Sequence, residues 1–290
     1  MCSSDLNFDS KGGMNTLEQT ASDALPSGSG RKVGEDEVVA VMKDWSSAPI
    51  MAGVAKVDIT NTHTEHTDDP LYANIDAGTI NDRLYVKALV LKQGETVVVL
   101  ITVDAVAIAE IGTISEGYLR HVREELKAGL GIDPDSVLIN ASHCHGIVCS
   151  DIAERTVQAV TKAWKTMVAV NVGMGRGYED RIMENRRLRL KNGREADVRR
   201  AYSLVPDEEV EAVGPVDTEI GILKLEREDG SPLAVVYHFA CHPIQGVPNG
   251  GNTADLSGFA STLIEASLGN GAVALFRSEE HTSELQSPDH

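Results

Sequence analysis

The sequence predicts an α/β fold in which mixed β-sheet layers are flanked by helices, with the chemistry gathered at the C-terminal ends of strands. Three observations carry this expectation. Residues 54–60 (VAKVDIT), 84–91 (LYVKALVL) and 97–108 (VVVLITVDAVAI) are apolar, β-branched runs of strand length, bounded by turn residues such as Gly94. Residues 115–130 place Tyr118, Leu119, Val122, Leu126 and Leu130 at helical spacing, and Gly131 follows as a stop. Residues 136–141 (SVLINA) then read as a strand and 151–167 as a second helix, so strand, helix, strand, polar loop and helix follow in order.

The remaining elements continue the pattern. Residues 168–174, 219–225 and 233–240 read as strands, the last two forming a hairpin about Asp229-Gly230. A helix from Asp255 to about Leu268 leads to a short strand over 272–276. Gly173, Gly175 and Gly177 suggest backbone turns, and their spacing is not that of a dinucleotide fingerprint. Residues 250–255 (GGNTAD) have the composition of a flexible loop able to frame a cleft.

Three segments are expected along the chain. Residues 1–50 form a polar arm, rich in Ser, Gly, Asp and Lys over 7–37, and 51–276 form the folded domain. Residues 1–6 (MCSSDL) and 277–282 (RSEEHT) can be read off the two strands of one oligonucleotide similar to a common sequencing adapter. Residues 1–6 and 277–290 are therefore expected to add nothing to the fold, and 51–276 to be an incomplete domain.

Bulk properties exclude several partners. In 290 residues, 44 Asp and Glu outnumber 26 Lys and Arg, and the formal net charge of -18 repels nucleic acid phosphates. No apolar run reaches the roughly 18 residues of a membrane helix. Four cysteines, unevenly placed, do not make a disulfide framework. No secretory signal is visible, but with residues 1–6 set aside this leaves the compartment open, as the sequence does the oligomeric state.

The chemistry concentrates in two motifs. Ser142-His143-Cys144-His145-Gly146 follows a buried strand, and in an extended chain His143 and His145 would face one small volume, with Cys144 on the opposite side. Phe239-Ala240-Cys241-His242-Pro243 repeats the plan, Pro243 restricting His242 to extended geometry. Two strand ends can thus aim His143, His145 and His242 at a common point, an arrangement suited to zinc with one position left open; His238 alternates poorly with this set. Asp104, at the end of an apolar run, either orients a ligand histidine or an arginine, or caps the strand exit. Arg186 either binds an oxyanion or makes a surface pair.

Taken in order, AGVAKVDIT, DRLYVKALVL, LITVDAV, INASHCHG, ENRRLRL and FACHPIQG resemble the N-terminal domain of the neutral/alkaline non-lysosomal ceramidase family, over residues 51–276. The resemblance implies a zinc amidohydrolase that splits the N-acyl bond of ceramide. It implies His143 and His242 as zinc ligands, with His145 and Arg186 lining the site and touching substrate. The family's other ligands, a glutamate and a tyrosine, and its catalytic serine lie downstream, so the chain by itself is expected to be inactive. Gly146-Ile147 after His145 and Arg187-Leu188 after Arg186 depart from the family pattern. They leave open a different amide or ester as substrate, or a binding module that retains the fold.

Overall fold

The computed structural model describes residues 48–62, 76–109, 112–144, 146–182, 185–197, 205–243 and 251–277; residues 1–47 of the expected arm and the tail beyond Arg277 lie outside these. Its strands are β1 (Met51–Asp58), β2 (Asp76–Ile80), β3 (Tyr85–Gln93), β4 (Thr96–Val103), β5 (Val137–Ala141), β6 (Val168–Tyr178), β7 (Arg187–Leu190), β8 (Glu195–Asp197), β9 (Val210–Val213), β10 (Glu219–Arg227), β11 (Pro232–Phe239), β12 (Gly251–Asn252) and β13 (Val273–Arg277). The helices are α1 (Tyr118–Leu130), α2 (Ile152–Lys165) and α3 (Asp255–Leu268).

Eight strands join in the order β13-β11-β10-β6-β1-β3-β4-β5, with β4–β5 and β11–β13 parallel and the other pairs antiparallel. The sheet doubles back at β1 and β6, which share only the register pairs Met51↔Ala169 and Ala52↔Val168. Each half then presents two apolar faces. On β3, Val86, Ala88 and Val90 pack toward α1 and α2, whereas Leu89 and Leu91 turn to the opposite side, as the period of two requires. That second side meets Leu223, Leu225, Ala234, Val236 and Leu275 of the other half. Val235, Tyr237 and Phe239 point away from it, under Leu256, Ala260, Ile264 and Leu268 of α3. The result is four layers: α1 with α2, two sheet halves, and α3. Thr102 of β4 donates to the Phe276 carbonyl of β13 across the middle, 2.9 Å away.

The helices follow from their spacing. Tyr118, Val122 and Leu126 of α1 are buried, and Gly131 ends the helix in the left-handed conformation at φ 68°, its N–H reaching back to the Leu126 and Lys127 carbonyls. In α2, Ile152, Thr156, Ala159, Val160 and Ala163 form the buried stripe. Gly53 of β1 lets this helix approach the sheet, because a Cβ there would stand 2.9 Å from the Ala163 carbonyl carbon and closer still to its oxygen.

Four expectations change. The strand predicted over 97–108 ends at Val103, where Asp104 takes the Tyr85 N–H and Ala105 turns back on the Val103 carbonyl at 2.9 Å. Gly173, Gly175 and Gly177 make no turns; they lie inside β6, paired with Lys224, Ile222 and Ile220. Residues 251–255 are no surface loop: Gly251 and Asn252 pair with β2, and Asn252, Thr253 and Asp255 are buried. Arg277, grouped with the tail by its sequence, closes β13 opposite His238.

Candidate metal centre at the strand ends

β5 and β11 belong to different halves of the folded sheet, and both end at the same edge. There the structure brings His143 and His242 together. Their Nε2 atoms are 3.2 Å apart, and the rings meet edge-on at 83° with centroids 4.8 Å apart. His143 is only 6% exposed, and its Nδ1 lies 2.8 Å from the Val106 carbonyl. A carbonyl only accepts, so Nδ1 carries the hydrogen and the Nε2 lone pair of His143 is left facing His242. This backbone-held tautomer is the usual arrangement behind a metal-binding imidazole.

The spacing also suits a shared cation. Nitrogens bound about 2.0–2.1 Å from a tetrahedral zinc stand about 3.3–3.4 Å apart, close to the observed separation. Among the described residues no group of three or more His, Cys, Asp or Glu side chains converges on one point, so the two rings alone could supply no more than part of a coordination shell. His145 lies outside the described residues.

The local backbone departs from the extended path expected for the His-Cys-His run. Ser142 donates its N–H to the Val103 carbonyl at 2.8 Å, and His143 then adopts φ 62°, a left-handed conformation uncommon outside glycine. That turn carries the imidazole toward the end of β11. Cys144 is buried in the core beneath α1 and α2, where burial, and then the Asp104 charge, push its thiol well above the ordinary range. Cys149, for the same first reason, is pushed up to about 12, so neither offers a ready thiolate.

Asp104 is 2% exposed, and its Oδ2 accepts the Tyr85 N–H at 2.9 Å. It thus caps the exit of the β3–β4 pair, and among the described residues the Nδ1 side of the His143 ring is held by the Val106 carbonyl. Burial raises the Asp104 carboxyl above the usual carboxylate range, opposed by the nearby Lys87 ammonium, itself 3% exposed, and by the Tyr85 amide. Ser142 Oγ, fully buried, stands near enough to favour the charge yet outside hydrogen-bond geometry.

A raised carboxyl pKa stabilises the fold below the ordinary value, and that contribution is lost as pH rises through the folded-state value. Asparagine does not titrate. In urea unfolding from pH 4 to 7, the stability of wild type relative to Asp104→Asn is therefore expected to fall with rising pH. The change should be about 1.4 kcal/mol per unit of elevation; a difference independent of pH would refute it.

Arg186 is half-buried one residue before β7, in a separate three-stranded sheet of order β8-β7-β9. Asn185 shapes this corner, its Nδ2 donating to the Pro215 carbonyl at 2.7 Å and its Oδ1 accepting the Arg187 N–H at 2.8 Å. Among the described residues no hydrogen bond joins Arg186 to either histidine. Two groups at the site were not singled out from sequence. The Val106 carbonyl has no side-chain signature, and Asn252, whose amide binds the loop after His143, sits in a stretch with the composition of a turn.

No family model and no curated protein matches the sequence. Solved structures do. A ceramidase complexed with C2 is similar at a TM-score of 0.62 and 18% identity, over 80% of this chain and 38% of that one. The neutral ceramidase from Pseudomonas aeruginosa is similar at 0.59 and 18%, over 80% of this chain and 39% of that one. The chain thus spans less than two-fifths of the length of the ceramidases it matches.

Proposed function

We propose that this chain, whose fold is that of a neutral-ceramidase-like domain, carries the histidine part of a zinc site in a hydrolase that cleaves the N-acyl amide of ceramide or a related lipid. The observation that carries the reading is the facing His143 and His242 pair at 3.2 Å, one ring held in the tautomer that frees its Nε2. The likeness to ceramidases supports the substrate class. Among the described residues no helix is long and apolar enough to cross a membrane.

Zinc bound there supplies a Lewis acid that polarises a carbonyl and lowers the pKa of a bound water. The chain's own part is to hold and orient. His143 and His242 present nitrogen lone pairs, and the Val106 carbonyl keeps the His143 ring from turning. Arg186 and His145 are assigned to substrate, the guanidinium opposite negative charge developing on the amide oxygen. The activity is proposed for a protein of the length of the matched ceramidase, 38% of whose chain the likeness covers.

The test is fatty-acid release by such a protein from ceramide, from short N-acyl amides and from esters. Ceramide is expected to lead in kcat/KM by roughly tenfold or more, as long apolar chains add binding energy. A lead by short amides or esters overturns the lipid assignment. Stoichiometric zinc with no hydrolysis of any substrate marks a binding module and overturns the activity.

A further inference from the structure

The two histidines hang from different halves of the sheet, so something must fix their separation. Asn252 is fully buried and its carboxamide makes a two-point contact with Ile147, Oδ1 accepting the Ile147 N–H at 2.8 Å and Nδ2 donating to the Ile147 carbonyl at 2.9 Å. It mimics a strand neighbour for the loop that follows His143. Gly146 packs in the same place, since a Cβ there would stand 2.9 Å from Asn252 Oδ1 and 2.6 Å from Leu84. The Asn252 carbonyl accepts the Asn81 N–H at 2.9 Å.

The residues after Asn252 reach the other histidine. Asp82 accepts the Thr253 hydroxyl and the Ala254 N–H, the latter at 2.8 Å, and so anchors the segment from outside. Asp255 takes φ 54°, and the Leu256 N–H donates to the Pro243 carbonyl at 3.3 Å, one residue past His242. Residues 252–256 therefore touch the loops of both His143 and His242. Left-handed non-glycine residues stand at both ends of this brace, at His143 and Asp255. Such conformations persist only where the surroundings over-determine them.

We propose that Asn252 is a positioning residue for the histidine pair, setting the path of the His143 loop and, through residues 253–256 and Asp82, its distance from His242. The inference builds on the proposed zinc site, but its first readout needs no metal. Long-range proton–nitrogen NMR of the imidazoles reads the His143 tautomer in the 290-residue chain. Wild type is expected to show the Nδ1–H form. Asn252→Asp keeps the size and loses the donor to Ile147; Asp82→Asn loosens the anchor if Asn252 variants fold poorly. Both are expected to give mixed tautomers and to weaken Co²⁺ binding about tenfold or more, the scale seen when a ligand's support is removed.

Tyr118→Phe, which deletes a buried hydrogen bond to Thr156 between α1 and α2, serves as a control for lost stability alone and should retain both signals. An unchanged tautomer with Co²⁺ affinity within twofold of wild type, in the folded variants, overturns the positioning role. So does equal loss in the Tyr118→Phe control. A wild-type chain with the Nδ1–H tautomer and no Co²⁺ binding instead overturns the zinc reading, and the tautomer readout still decides the inference.

Discussion

Replacing His143 or His242 by alanine is expected to lower zinc affinity roughly a hundredfold or more, a larger loss than the 10–100-fold that follows removal of a ligand's outer partner. Each ring supplies one of the two nitrogens that face each other at 3.2 Å, and among the described residues no third donor converges with them. A competitive titration against a chromophoric chelator measures the effect directly. Stoichiometric zinc persisting in both variants would falsify the proposed site. The two positions differ in their effect on the fold. His143→Ala also leaves the Val106 carbonyl without its donor, costing about 1–3 kcal/mol, on a backbone at φ 62° whose left-handed strain the wild-type histidine already bears. His143→Asn, which tolerates the left-handed conformation better, separates ligand loss from backbone strain.

The largest expected effect on stability lies elsewhere, at Gly53. A methyl group there meets the backbone of α2 at Ala163, which cannot move aside as the neighbouring Met167 side chain can. Relief requires the helix to lift from β1, opening the core that Val57, Ala159 and Ala163 help to build. Gly53→Ala is expected to cost about 3 kcal/mol or more, at the upper end of overpacking. In a domain of this size that lowers Tm by about 6–12 °C. A loss below about 1 kcal/mol in urea unfolding would mean that α2 can slide over β1 without disturbing its contacts.

What could be read from the sequence divides along a physical line. The strand β3, the hairpin of β10 and β11, and the helices α1 and α3 carry their own apolar period, and each appears within a few residues of its expected place, whereas β4 begins where expected and stops at Val103. The short strands β2, β7, β8, β9 and β12 are not legible in the sequence because three to five residues, or two in β12, hold too little pattern. The glycines of β6 read as turns in the sequence because local propensity favours turns, whereas nine register pairs with β10 hold the strand extended. At the site, the meeting of His143 with His242 was anticipated from two strands that end in histidine. The means were not. His143 reaches its partner through a left-handed turn that no glycine or asparagine announces, and the group behind it is a main-chain oxygen. Asn252 owes its burial to Ile147, 105 positions away, which composition alone cannot convey.

The thin junction between β1 and β6 bears on how the domain responds to metal. Because only two register pairs link the sheet halves along that seam, the hold between them comes largely from the apolar faces packed across the middle, and each imidazole rides on one leaf of this arrangement. A cation gripped by both would act as a clasp at the far edge, resisting the opening that separates the leaves. Resistance to denaturant should then climb with the logarithm of free zinc, by about 1.4 kcal/mol for each decade above the dissociation constant.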